Sequence, residues 1–181
     1  MTRVCLFTMM SAAVIFGSGS WRDLPGGGRI QVPARLEGPV ERDRTETSVV
    51  FQFRTAYPWY RFDAMGSGTP WREELFVAIG GSGGFCSEYA AAGVKPLDSR
   101  PLSWNDEMAG KREKRLEWRD NGPYRVAEGL YTVNGLKDRV VVVSFAAPER
   151  RAEICYRVWR RDASAPEAIR VVQDAAQSLK R

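Results

Sequence analysis

The sharpest catalytic motif in the chain is Gly80-x-Ser82-x-Gly84, the spacing of a serine nucleophile on a tight turn between a strand and a helix. Such a serine needs a neighbouring base to take its proton, and the 181 residues include no histidine. A lysine is the base that remains, but none stands at the S-x-x-K spacing from Ser82. We interpret the motif as a glycine turn and keep a hydrolase that pairs Ser82 with a lysine as an alternative.

Paired carboxylates are the second arrangement that hydrolyses a bond without histidine, since glycosidases use two acids. Glu73 and Glu74 flank an aromatic segment, and Asp63 lies nearby in the sequence. The two glutamates adjoin a predicted strand whose alternate residues must face water, so solvated surface acids are the simpler interpretation. We assign no catalytic residue and expect a binding protein rather than an enzyme, with a carboxylate-pair hydrolase as an alternative.

No metal or cofactor is expected. Zinc and iron sites built on histidine are excluded by composition. The glycine run over residues 80–84 is not followed by the lysine of a phosphate-binding loop, and Cys86 stands where a dinucleotide-binding motif needs its third glycine.

Two cysteines, Cys86 and Cys155, remain when the predicted leader removes Cys5. An exported protein reaches an oxidising compartment, where an even number of thiols favours a disulfide. The bond would close a loop of roughly 70 residues and contribute about 4 kcal/mol on the chain-entropy model. The sequence therefore predicts a disulfide between Cys86 and Cys155, with two separate buried thiols as the alternative.

An aromatic connection between two predicted strands is the best candidate for a contact surface. It is nearly twenty residues long, far above the usual four to six, and its aromatic content argues against disorder. Flat rings beside guanidinium groups can stack on sugars or grip a peptide. We predict that this segment contacts an envelope protein or a glycan, with burial of the same rings over the sheet as the alternative. The predicted contact residues are Arg54, Tyr57, Trp59, Tyr60, Arg61, Phe62 and Trp71.

Clustered basic residues account for the net charge of +5 and define a further alternative function. They occur at residues 111–115 and at Arg150 and Arg151. An electrostatic binder of anionic polymer or lipid would use such a cluster, although glutamates are interspersed and an ordinary solvated face is the simpler interpretation. A nucleic-acid partner is not expected, because the protein is predicted to be exported.

The first twenty residues have the order of a signal peptide. Arg3 precedes an apolar run over residues 4–16, and small residues follow before Trp21. The run is shorter than the about 20 residues of a membrane-spanning helix. We predict cleavage near Ser20, a single domain over residues 21–181, no transmembrane span in the mature chain, and a periplasmic or secreted location.

The elements that must position these residues form an α+β fold. An entry loop with one short edge strand is predicted for residues 21–39, and alternating apolar residues predict strands over 47–54 and 74–80. A short helix over 85–92 and a polar one over 104–115 follow. Alternation and the turn signals at 120–123 and 134–135 then predict an antiparallel meander from Leu116 to residue 159. The prediction is a mostly antiparallel sheet of six or seven strands with an amphipathic C-terminal helix on one face.

This layout resembles the PsbP-like domains of exported bacterial and thylakoid-lumen proteins. The resemblance covers residues 30–180 and rests on the Gly/Pro-rich entry, the central aromatic strand, the long connection, the terminal meander and the closing helix that ends at Ser178 and Leu179. It implies a non-enzymatic accessory domain and transfers no functional residue. We therefore predict an exported, non-catalytic binding domain of the bacterial cell envelope.

Overall fold

The computed structural model describes residues 19–26, 28–55, 59–62, 68–80, 85–98, 103–109, 115–133, 136–160 and 162–180. The predicted signal peptide lies almost entirely outside these residues. Within them, no helix has the length and apolar content needed to cross a membrane.

Eleven strands and three α-helices are formed by the described residues. The strands are β1 Ser20–Asp23, β2 Arg29–Val32, β3 Leu36–Arg44, β4 Ser48–Thr55, β5 Trp59–Phe62, β6 Gly68–Gly80, β7 Lys95–Pro96, β8 Trp118–Asn121, β9 Tyr124–Val133, β10 Leu136–Ala147 and β11 Ala152–Trp159. The helices are α1 Phe85–Ala91, α2 Trp104–Met108 and α3 Ala165–Ser178, with a short 3-10 turn at Pro148–Arg150.

Nine of these strands form one antiparallel sheet in the order β3-β4-β6-β11-β10-β9-β7, with β5 paired to β6 and β8 paired to β9. The strands β1 and β2 make a separate hairpin. The α+β class, the mostly antiparallel sheet and the packed C-terminal helix are confirmed. The sheet is larger than the six or seven strands predicted from the sequence.

The additional strands come from segments whose sequence lacks the apolar alternation typical of a strand. Residues 21–39, predicted as a loop with one edge strand, contribute β1, β2 and the start of β3. The rest of β3 lies at the sheet edge and carries the charged residues Glu41, Arg42, Asp43 and Arg44. Charged side chains at an edge prevent pairing with strands of other molecules, but they leave no apolar alternation to indicate a strand. Backbone pairing therefore forms strands here that the hydrophobic pattern does not indicate.

The sheet is covered on both faces, and not on one as predicted. All eight residues of β11 are buried, and Val140, Val141, Val142 and Val143 of β10 have no exposed surface. The helix α3 and the hairpin β1–β2 cover one face, where Phe51, Leu75 and Ile154 point. The helix α1 covers the opposite face, which holds Val50, Phe76 and Cys155. Polar side chains on either face of the central strands are thus removed from water.

The predicted C-terminal helix forms as α3, but the serine before it does not cap its first turn. Ser164 is the residue before the helix and makes no side-chain capping hydrogen bond. Glu167 instead forms an ion pair with Arg160. The buried face consists of Ala168, Val171, Val172 and Ala175, a spacing of three and four residues that keeps one stripe of the helix on the sheet.

The predicted meander is confirmed as β8, β9, β10 and β11, paired in sequence order. The predicted turn at residues 134–135 lies outside the described residues, but Val133 pairs with Leu136 on either side of it. The predicted helix over 104–115 is wrong in length, because α2 ends at Met108. Its polar faces offer too little apolar surface for a longer helix to pack.

Candidate functional site

The predicted aromatic connection contains a β-ribbon that continues the sheet. Ser48–Arg54 pair with residues 80–74 of β6, and Trp59–Phe62 pair with residues 71–68 of the same strand. The step from Arg54 to Trp59 spans five positions, whereas the step from Glu74 to Trp71 spans three, so the register differs by two residues between the two paired segments. We call β5 and residues 68–71 the aromatic ribbon.

The aromatic ribbon extends beyond the part of β6 that lies inside the sheet. The pairing of β6 with β11 ends at Arg72, and its pairing with β4 ends at Glu74. Within the described residues, only β5 pairs with residues 68–71. Four residues of strand correspond to about 13 Å, so the ribbon projects by roughly that length from the sheet.

The root of the ribbon is fixed by buried polar and aromatic contacts. Arg72 places Nη2 2.6 Å from Oε1 of Glu74, and its guanidinium lies 5.9 Å from the centre of the Trp159 ring. Trp159 is buried and packs edge-on against Tyr131 at 4.2 Å between ring centres. The projecting strands therefore leave the sheet from a rigid base.

The structure places the predicted contact residues unevenly. Arg54 is exposed on β4 at the root of the ribbon. Trp59, Tyr60, Arg61 and Phe62 form β5, and Trp59 pairs directly with Trp71 on β6. Tyr57 lies outside the described residues. The long connection is thus largely an extension of the β4–β6 hairpin, which the aromatic run did not indicate.

Glu73 and Glu74, predicted to be solvated, are both buried, with 0% and 1% of their surface exposed. As neighbours on one strand they point to opposite faces of the sheet, and both faces are covered. They therefore cannot act on one substrate as a carboxylate pair. Asp63, the third acid of that alternative, lies outside the described residues.

Glu74 is held by four donors on the face covered by α1. Its Oε2 accepts a hydrogen bond from Nε of Arg157 at 2.8 Å and a second from Nη2, while Oε1 accepts one from Nε2 of Gln52 at 3.1 Å and contacts Arg72. Arg157 also donates to the backbone oxygens of Ala90 and Ala92, at the C-terminal end of α1. The ion pair thus ties the sheet to the helix.

Glu73 is compensated in the same way on the face covered by α3. Its Oε2 accepts a hydrogen bond from Nε of Arg35 at 2.5 Å, and its Oε1 lies 3.9 Å from Nη1 of Arg160. The fully buried Tyr156 hydroxyl is close to the same pair. Burial raises the pKa of Tyr156 well above its ordinary value, and Glu73 adds to the rise while Arg35 opposes it.

A third buried glutamate, Glu153, lies between two cysteines. Its Oε2 accepts a hydrogen bond from the backbone N–H of Cys86 at 2.9 Å, and its Oε1 accepts one from the Ser144 hydroxyl at 2.9 Å and one from the Cys155 thiol at 3.7 Å. The two sulfur atoms and a carboxylate oxygen of Glu153 all lie within 4.8 Å of one another. We call Cys86, Ser144, Glu153 and Cys155 the thiol cluster.

The cluster forms because α1 packs on the face of β11 to which the alternate residues 153 and 155 point. Both cysteines are free and not at disulfide distance in this structure, so the predicted bond stays a prediction. Burial raises the pKa of the Cys155 thiol well above its ordinary value, and Cys86 and Glu153 add to the rise. The neutral form of the Cys155 thiol is therefore favoured by its surroundings.

The other sequence candidates contribute little to a site within the described residues. Ser82 lies outside them, as do Lys111 and Lys114. Arg150 donates hydrogen bonds to the backbone oxygens of Ala176 and Leu179, so its charge stabilises the end of α3.

Sequence analysis missed Glu153 and Arg157 as site residues. The signal for Arg157 was a charged residue between Tyr156 and Val158 in an apolar strand, which a strand covered on both faces must bury with a partner. Glu153 gave the same signal beside Ile154.

Compared with known protein families and with curated proteins, the chain matches no family model and no curated protein.

Proposed function

We propose that this protein is an exported, non-catalytic binding domain of the bacterial cell envelope that contacts a glycan or an envelope protein through the aromatic ribbon. The observation that carries this proposal is the projection of a Trp/Tyr/Phe-rich strand pair from a sheet whose own faces are already covered. Aromatic rings supply large contact area at low conformational-entropy cost. Arg54, exposed at the root, adds a donor for a polar group of the ligand.

The buried charges support a binding function in preference to hydrolysis by carboxylates. Glu73 and Glu74 are engaged by arginines on opposite faces, so neither is available to a substrate. The resemblance to PsbP-like domains, which implies an accessory role, agrees with this proposal.

Binding is tested with the double variant Trp59→Ala/Trp71→Ala and with Trp104→Ala as the matched control. Trp104 is 73% exposed on α2, so its removal takes a ring from the surface without touching the ribbon. The probes are insoluble peptidoglycan in a sedimentation assay and, in cells, a photo-crosslinking residue at position 60 or at position 104. We expect the double variant to bind about tenfold more weakly or worse, since central aromatics dominate contact energies. A folded double variant that binds and crosslinks like the Trp104→Ala control would contradict the proposal.

Export is tested by the mass of the protein produced with its own leader in a bacterial host. The expected product is periplasmic and has lost the residues before Trp21. Because β1 begins at Ser20, this cleavage removes only one residue pair of the β1–β2 hairpin. A full-length cytoplasmic product would refute export and leave the ribbon assay valid.

A further inference from the structure

The three buried glutamates of the described residues are Glu73, Glu74 and Glu153, and only the first two have a cationic partner. Among the residues that the structure describes, no arginine or lysine forms an ion pair with Glu153. It is surrounded instead by two thiols, a hydroxyl and one backbone N–H. A buried carboxylate without a cation is costly, because neutral donors offset only part of the lost hydration.

The atoms around Glu153 are the donor types that a borderline-soft divalent cation prefers. Zn²⁺ is bound in proteins by thiolate sulfur and carboxylate oxygen in a tetrahedral arrangement. With Zn–S and Zn–O bonds of about 2.3 and 2.0 Å, a sulfur and an oxygen of one tetrahedron lie about 3.5 Å apart. Sγ of Cys155 and Oε1 of Glu153 are separated by 3.7 Å, which is close to this spacing.

We propose that the thiol cluster, when both cysteines are reduced, is a closed structural site for one Zn²⁺ ion. Cys86, Cys155 and Glu153 provide three ligands from α1 and β11, and the Ser144 hydroxyl, 2.9 Å from Oε1 of Glu153, is a further oxygen beside them. Binding deprotonates both thiols, so each Zn²⁺ that enters releases two protons and forms two Zn–S bonds. The ion replaces two thiol protons, so the net charge of the cluster stays at −1, but the Glu153 carboxylate gains direct contact with a cation, as Glu73 and Glu74 have with arginines.

The site is separate from the aromatic ribbon, and its occupancy does not depend on what the ribbon binds. It also differs from the predicted disulfide, which consumes both thiols in a two-electron oxidation. Reduced protein binds the metal, and oxidised protein does not.

The test uses the full chain with Cys5→Ser, kept reduced and without oxygen. Cys86 and Cys155 are then the two thiols that can bind Zn²⁺ or be alkylated. Both sulfurs are buried, so Zn²⁺ is supplied to the folded protein and during refolding. We expect one Zn²⁺ per chain, release of two protons, and alkylation of both cysteines slowed by about tenfold or more. Mg²⁺, which prefers oxygen ligands, leaves alkylation unchanged.

Two variants separate this site from adventitious binding. Glu153→Gln should weaken Zn²⁺ binding by about tenfold or more, while Glu117→Gln, which changes an exposed carboxylate, should bind like the parent. Cys155→Ser should lose the 1:1 stoichiometry. If the reduced parent takes up no Zn²⁺, or if Glu153→Gln and Cys155→Ser bind it unchanged, the proposal is overturned. Alkylation protection is measured in the parent, so the result holds even where a variant does not fold.

Discussion

Two regions on the same face of the sheet each bury a glutamate carboxylate, and they stabilise it in different ways. Beneath the end of α1, the Glu74 carboxylate meets Arg157 and Arg72, so its charge is balanced inside the protein. Beneath the start of α1, the Glu153 carboxylate meets only neutral donors, which are a backbone N–H, a hydroxyl and one thiol. In the first region the chain itself supplies the cations that balance the Glu74 carboxylate. In the second region the surroundings of Glu153 change if the predicted disulfide forms or if the proposed Zn²⁺ ion binds.

Removal of the arginine in the first region should give the largest effect. Arg157→Met leaves the buried Glu74 with Arg72 as its one cation among the described residues and frees the carbonyl oxygens of Ala90 and Ala92 at the end of α1, so we expect a loss of about 3–5 kcal/mol. Urea unfolding measures it. Arg72→Met, the matched control on the same carboxylate, should lose about 1 kcal/mol, since Arg72 is 35% exposed. Equal losses would show that burial does not set the contribution of each arginine.

Oxidation should give the next largest effect, and only in the second region. If the predicted disulfide forms, its reduction should cost up to about 4 kcal/mol and loosen the start of α1 first. Intact mass after alkylation, with and without reductant, reports the bond, and urea unfolding reports the cost. Cys86→Ser should be insensitive to reductant. Two alkyl groups gained by the exported protein without reductant would exclude the disulfide.

The sequence predicts the strands and the helix of these regions better than it predicts the burial of their glutamates, for a physical reason. Alternation places Cys155 and Arg157 on one face of β11, and the Gly-rich run followed by a helix pattern predicts α1. The contact between Cys86 and β11 and the burial of this sheet face both require α1 to pack there, which the pattern does not determine. The sequence therefore indicated solvated Glu73 and Glu74, whereas covering layers bury both.

Replacing the buried glutamate by glutamine should destabilise the first region more than the second. Glu74→Gln leaves the buried Arg157 without its carboxylate and should cost about 3 kcal/mol or more. Glu153→Gln in reduced, metal-free protein strands no cation, removes an uncompensated buried charge and replaces one acceptor oxygen by an NH₂ group, so it should cost no more than about 1 kcal/mol. Urea unfolding of both variants gives the difference. Equal costs would mean that the thiol cluster needs the charge of Glu153 even without a metal.

The smallest effect at neutral pH is expected for Tyr156, which lies beside the arginine-balanced Glu73. Its pKa is raised in the folded protein above the ordinary value of 10, mainly by burial. The neutral hydroxyl therefore contributes stability that is fully present below about pH 10 and is lost as the pH rises through the folded pKa. Tyr156→Phe removes this dependence.

At pH 7 the variant should unfold within about 0.5 kcal/mol of the parent, because the hydroxyl makes no hydrogen bond of normal geometry within the described residues. Above pH 10 the parent should lose up to about 1.4 kcal/mol per pH unit more than the variant. Urea unfolding from about pH 8 to about pH 11 measures both. Tyr124→Phe, which removes a hydroxyl from the half-buried ring packed on Phe145, is the control for losing one phenol. If the stability of Tyr156→Phe declines with pH as steeply as that of this control, the Tyr156 phenol ionises as readily in the folded chain as in the unfolded one, and burial beside Glu73 does not hold it neutral.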